Sequence, residues 1–136
     1  MTLDQFVSFF ESPILNKGLQ QDEILKLKEI AGCNLPDSYI DLMIMTNGIE
    51  GFVSSKNYVL LWSLEELAKA NYGYGINKFA PGFFLFGSNG GDAGYVFDTR
   101  KNPMPILEIP FIEISLSKGK VISLCFEDFF LNLHNG

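Results

Sequence analysis

Histidine and cysteine are scarce in this chain, which has one histidine and two cysteines among its 136 residues. His134 lies close to the C-terminus, where chain ends usually fray, and a general base needs a precisely held position. A zinc site would have to take most of its ligands from carboxylates, which is uncommon. We therefore expect no catalytic triad, no other catalytic residue and no metal site.

The sequence also lacks the features of an exported or membrane-bound protein. Its first residues, MTLDQF, contain an acid and no basic stretch, unlike a signal peptide. No apolar run approaches the ~20 residues that a membrane helix needs. Cys33 and Cys125 are too few for a disulfide-stabilised secreted domain, so we expect two reduced thiols in the core of a cytoplasmic protein.

Basic residues are outnumbered, with 10 lysines and arginines against 16 acidic side chains and a formal net charge of −6. A chain this acidic repels phosphate backbones, which argues against direct nucleic-acid binding. The same charge suits a basic protein partner, because opposite fields steer the encounter of two proteins. The alternative is that the charge only keeps a small domain soluble.

What the chain does have is a glycine-rich stretch over residues 83–100, FFLFGSNGGDAGYVFDTR. It matches neither G-x-G-x-x-G nor a P-loop, and it leads into a strand instead of a phosphate-binding helix. A calcium loop would need alternating carboxylates that are missing here. We therefore expect a hairpin loop in which Asn89 and Asp92 make local turns, and no cofactor. One alternative stays open: Asp92 and Asp98 could lie close together and form a carboxylate pair or a small-ligand site.

Apolar spacing and capping signals predict the secondary structure. Pro36 suits the first turn of a helix, and Ser63 with Glu66 has the spacing of a capping box. Tyr39, Ile40, Met43 and Ile44 are the expected buried face of the helix in 35–48. The predicted helices cover 2–10, 20–31, part of 35–48, 64–71 and 122–133. The predicted strands cover 58–62, 83–86, 95–98 and 106–109, with a possible extension over 112–116, and 72–82 is a predicted loop. The fold class is α+β, a mostly antiparallel sheet flanked by helices in a single domain over 1–136.

Several of these segments, in this order, resemble the SUKH superfamily, which includes a yeast cell-wall (glucan synthesis) regulator and many bacterial single-domain proteins. The resemblance runs from about residue 21 to residue 133. Its carriers are the segments LPDSYIDLMIMTNG, WSLEEL, FLFGSNGGDAGYVFD and FEDFFLNL.

The resemblance implies an α+β fold and a non-enzymatic protein. Bacterial members of this length look like immunity proteins, which bind and neutralise a toxin, often a nuclease. Acidic or aromatic character near loops indicates the contact residues Glu50, Glu65, Tyr72, Tyr74 and Asp92, and Asn89 joins Asp92 at the tip of the hairpin. The alternatives are a regulatory or scaffold module that binds a cellular protein, and a small-ligand binder at the Gly-rich loop.

Overall fold

Seven strands form one antiparallel sheet in the computed structural model, which describes residues 2–136. The strands lie side by side in chain order, so each pairs with the next one along the sequence. They are β1 (Glu11–Leu15), β2 (Ile49–Phe52), β3 (Tyr58–Leu61), β4 (Phe83–Ser88), β5 (Ala93–Asp98), β6 (Ile106–Pro110) and β7 (Lys120–Ser123). The helices are α1 (Leu3–Val7), α2 (Gln21–Ala31), α3 (Asp37–Met45), α4 (Leu64–Gly73), α5 (Ile76–Phe79) and α6 (Phe129–Asn135). The predicted α+β class with a mostly antiparallel sheet is confirmed.

Three helices form where the sequence predicted them, and their ends have clear physical causes. α2 stops at Gly32, which adopts the left-handed conformation (φ 72°) that glycine enters at little cost. α4 begins with the Ser63–Glu66 capping box. α3 begins directly after Pro36, but its buried face was partly wrong, because Leu42 is fully buried whereas Ile44 is 45% exposed.

The ends of the chain depart from the prediction. The helix predicted over 2–10 ends at Val7, and the chain then enters the edge strand β1, where Pro13 is tolerated because an edge strand leaves backbone groups unpaired. Near the C-terminus, the helix predicted over 122–133 is wrong in its first half. Ile122 lies in β7, a 3₁₀ turn covers Phe126–Asp128, and α6 begins only at Phe129.

Two further segments differ. Residues 112–116 do not continue β6; the chain turns there, with Glu113 at φ 57°, and reaches a 3₁₀ turn at Leu116–Lys118. The predicted loop 72–82 contains the end of α4 and the short helix α5. α5 lies over β4 because Ile76 belongs to the apolar layer on that face of the sheet.

Apolar side chains cover both faces of the central strands β4 and β5. One face carries the larger core, which is rich in phenylalanine and includes the predicted anchors Phe84, Phe86, Tyr95 and Phe97. The opposite face carries a smaller core of Ile76, Ala80, Phe83, Leu85, Val96, Leu107, Ile109 and Ile114. This second layer does not extend over β1, β2 and β3. Outward residues alternate with buried ones in β2 and β3, and no residue of β1 is buried. One end of the sheet therefore presents a bare face.

A side-chain amide completes the sheet where β3 turns away from β4. The Asn71 side chain in α4 accepts a hydrogen bond from the Leu85 N–H (2.9 Å) and donates one to the Leu85 carbonyl (2.8 Å). It also donates to the Leu67 carbonyl (2.8 Å). The Asn71 amide thus takes the place of a peptide group of a neighbouring strand. It provides hydrogen bonds to the buried Leu85 N–H and carbonyl, which have no strand beside them on that side.

No helix within residues 2–136 combines the length and the apolar character needed to cross a membrane.

Candidate functional site

Glu50 lies at the centre of the bare sheet face. In the strand register it is flanked by Ile14 of β1 and Leu60 of β3, and cross-strand partners project from the same face. Ile14 is 59% exposed, while Glu50 and Leu60 are half-buried. The Tyr58 hydroxyl donates a hydrogen bond to the Glu50 carboxylate. A carboxylate is thus held in place among apolar side chains.

Phe52 and Tyr58 form an aromatic pair beside this carboxylate. Their ring centroids are 5.0 Å apart in an edge-to-face arrangement, and Phe52 is 46% exposed. The hydrogen bond to Glu50 raises the pKa of Tyr58, because the ionised phenol would lose that bond and face the carboxylate's charge. Tyr58 therefore stays a neutral donor that orients Glu50.

The tip of the β4–β5 hairpin packs against Tyr58, one ring of this aromatic pair. Gly90 lies so close to Tyr58 that a side chain there would clash with the ring, and its φ of 82° favours glycine in any case. The Asn89 side chain accepts hydrogen bonds from the backbone N–H groups of Gly91 (2.9 Å) and Ala93 (3.2 Å). Its amide also donates to Asp92 (3.3 Å). The expected local turn is confirmed at Asn89, whereas the Asp92 side chain bonds to the Asn89 amide and not to the backbone.

The alternative pairing of Asp92 with Asp98 is wrong. Asp92 precedes β5 and Asp98 ends it, so six residues of extended chain place them about 20 Å apart. Asp98 instead accepts two hydrogen bonds from the Arg100 side chain (2.9 and 3.0 Å), and these bonds hold the pKa of Asp98 below its usual value. Asp98 thus serves the turn after β5.

Tyr74 and Tyr72 extend the surface beyond the hairpin tip. The Phe111 N–H donates to the Asp92 carbonyl (2.9 Å), and the Phe111 ring stacks on Tyr74 at 4.3 Å. The Tyr74 side chain remains 39% exposed, and the Tyr72 side chain is 91% exposed. We define the outer surface by the residues that these contacts link, which are Ile14, Glu50, Phe52, Tyr58, Asn89, Asp92, Phe111 and Tyr74.

Glu65 is outside this set of linked residues. It occupies the first turn of α4, whereas Tyr74 caps the other end of that helix, about 13 Å away along the axis. Glu65 is exposed and adds a negative charge where the helix dipole favours one. A partner that binds at Tyr74 would therefore need a second contact to reach Glu65.

Four members of the outer surface were missed from the sequence, namely Ile14, Phe52, Tyr58 and Phe111. β1 and β2 were not predicted as strands, so nothing placed Ile14 and Phe52 beside Glu50. The sequence of β2, Ile-Glu-Gly-Phe, does not alternate apolar and polar residues, so it carried no clear strand signal. Tyr58 was assigned to a strand, but its contact with Glu50 depends on the register.

A cleft of about 570 Å³ opens on another part of the molecule. Leu35, Pro36 and Phe126 supply apolar walls, and Arg100 and Glu127 line it with opposite charges. Burial raises the pKa of the free thiol Cys125. No three histidine, cysteine or carboxylate side chains in the described part of the chain are grouped to hold a metal ion.

The comparisons with known proteins give one clear match. A family model described as the SMI1 / KNR4 family (SUKH-1) matches residues 18–132, which is most of the chain. The match includes every strand from β2 to β7, and α1 and β1 precede it. A search of curated proteins found no match.

Proposed function

The chain belongs to the SMI1/KNR4 family (SUKH-1), and from this we propose that it is an immunity protein that binds and neutralises a toxin. Members of the family are known as immunity proteins or cell-wall regulators. Both roles depend on a protein partner rather than on chemistry within the domain. The family match is the observation that carries the proposal.

The outer surface supports a role in protein contact. It combines exposed aromatic and aliphatic side chains with carboxylates, and aromatic residues are enriched at the energetically important centres of interfaces. Two ion pairs occur within residues 2–136, Asp98–Arg100 and Glu113–Lys118, and neither involves Glu50 or Asp92. Both carboxylates are thus available to a basic partner.

We propose a toxin domain with a basic surface as that partner. A nuclease must be basic where it holds phosphate, and an acidic protein can cover that region or lie beside it. The net charge of −6 favours such an encounter and disfavours direct binding to nucleic acid. In this proposal the protein acts in the cytoplasm and catalyses no reaction; Glu50, Tyr72, Tyr74, Asn89 and Asp92 contact the toxin.

The first alternative is a regulatory or scaffold module of the same family that binds a cellular protein. It is distinguished by a gene neighbourhood without a toxin. The second alternative is a small-ligand binder at the Gly-rich loop. Asp92 lines neither the cleft near Arg100 nor a smaller groove of about 290 Å³ beside Tyr74 and Phe111, and residues 90–92 at the hairpin tip are exposed. The docking role fits that shape better.

The experiment is to purify this protein with the toxin domain encoded next to its gene. We expect a stable complex in size-exclusion chromatography and loss of the toxin's activity at equimolar ratio. A toxin that stays free and fully active at a several-fold excess of this protein would contradict the proposal.

A further inference from the structure

The Glu50 carboxylate has unused capacity for hydrogen bonds. An ionised carboxylate offers about four acceptor positions, and Tyr58 occupies one. Half-buried between Ile14 and Leu60, Glu50 is poorly placed to be satisfied by water on all sides. Charge interactions strengthen where the surroundings are less polar. A cationic group that approached this position would therefore be held more firmly than at an open surface.

The aromatic pair beside Glu50 restricts which cation fits. Phe52 and Tyr58 pack edge to face on the same sheet face as Glu50, and the Phe52 side chain is 46% exposed. A guanidinium is planar, stacks on aromatic faces and donates in-plane hydrogen bonds to a carboxylate at the same time. An ammonium is a compact, strongly hydrated charge and gains less from such a site.

Within residues 2–136, no basic side chain forms an ion pair with Glu50. Lys56 lies in the turn between β2 and β3, and neither ion pair of the described chain includes it. Glu11 lies opposite Phe52 in the register, so a second carboxylate borders the same aromatic ring. The arrangement excludes an anionic group and favours a positively charged one.

We propose that Glu50, Tyr58 and Phe52, with Ile14 at the margin, form an anchor site for an arginine side chain of the protein partner. The guanidinium stacks on the aromatic pair and donates to the free oxygen of Glu50, while Tyr58 keeps the carboxylate oriented. This inference rests on the proposed binding function and specifies one contact within it.

The test uses the full chain and a small probe, so it does not need the toxin. N-acetyl-arginine amide is titrated into the ¹⁵N-labelled protein at constant ionic strength, and amide signals are followed by NMR. N-acetyl-citrulline amide has nearly the same shape without the charge, and N-acetyl-lysine amide has the charge without the plane. We expect the arginine compound to shift the signals of β2, β3 and Ile14 more than either control does.

Variants make the assignment specific. Glu50→Gln should weaken the apparent affinity for the arginine compound about two- to fivefold, the range expected for an exposed ion pair and cation–π contact. Phe52→Ala should weaken it similarly, while Glu29→Gln on the exposed face of α2 should leave it unchanged. Unfolding curves of each variant confirm that it is folded.

Equal shifts from the citrulline or lysine compound, or no shifts in β2 and β3, would overturn this inference. The two proposals fail separately. If the protein neutralises the toxin but does not bind the arginine compound, the anchor site alone is refuted. If the protein binds the arginine compound at Glu50 but binds no toxin, the proposed function is refuted.

Discussion

Replacing Asn71 with alanine tests how the sheet is completed between β3 and β4. The Asn71 amide makes three hydrogen bonds, two of them to the backbone of Leu85, which is fully buried. Alanine removes all three and leaves the Leu85 N–H and carbonyl without a partner. The helix itself should tolerate the change, since alanine favours helices more than asparagine does.

The expected loss of stability follows from the Leu85 N–H and carbonyl, which both lose their hydrogen-bond partner. A buried donor or acceptor left unsatisfied costs about 1–3 kcal/mol, and partial entry of water into the gap reduces the sum. We expect Asn71→Ala to lower the free energy of unfolding by about 2–4 kcal/mol. At about 3–4 °C per kcal/mol for a chain of this size, the Tm should fall by roughly 10 °C.

Urea unfolding followed by the fluorescence of Trp62, the single tryptophan, measures this loss. Asn132→Ala is the matched control, because the exposed Asn132 amide makes one hydrogen bond, to the Ile122 carbonyl (3.2 Å). Its effect should stay below about 1 kcal/mol. If Asn71→Ala costs no more than this control, the amide does not substitute for a strand and our reasoning is refuted.

Two further predictions concern buried polar groups. The Tyr39 hydroxyl is fully buried and has no hydrogen-bond partner among residues 2–136. In thermal unfolding, Tyr39→Phe should leave the free energy of unfolding unchanged or raise it by up to about 2 kcal/mol, and a loss above about 1 kcal/mol would contradict this. Because Arg100 lowers the pKa of Asp98, this carboxylate adds stability that is complete above the unfolded-state pKa of ~3.9 and disappears as pH falls through the lower folded-state pKa. In denaturant unfolding at several pH values, Asp98→Asn should therefore cost stability at pH 7 and progressively less below about pH 4, and a cost that is independent of pH would refute the role of the charge.

Local signals in the sequence were sufficient for much of the fold. Gly32 ends α2, Ser63 and Glu66 open α4, and the small residues around Gly90 make the β4–β5 turn. Each of these features depends on neighbours within a few positions. For that reason α2, α3, α4 and the central hairpin could be predicted before any tertiary contact was known.

The missed strands depend on distant partners. β1 contains Pro13 and is stable only because β2, more than thirty residues later, pairs with it. In β7, Ile122 has the spacing expected of the C-terminal helix, but pairing with β6 keeps it extended. Tertiary contacts, and not intrinsic propensity, determine the secondary structure of such short segments.

The candidate site shows the same division. The charge of Glu50 and the aromatic character of Tyr74 were visible in the sequence. The position of Glu50 between Ile14 and Leu60 follows from strand register, and the contact of Tyr74 with Phe111 follows from the turn after β6. Composition therefore indicated the kind of surface, and only the fold determined which residues share it.

The affinity of the neighbouring toxin domain for single variants tests the central claim most directly. Calorimetric titration should show that Phe52→Ala weakens binding about tenfold or more, as expected for a residue at the centre of an interface. Leu124→Ala is the matched control, because Leu124 is exposed just after β7, about 25–30 Å across the sheet from β1. It should leave the affinity unchanged. Equal affinities of Phe52→Ala and the unmodified protein, or a larger loss with Leu124→Ala, would contradict binding through the outer surface.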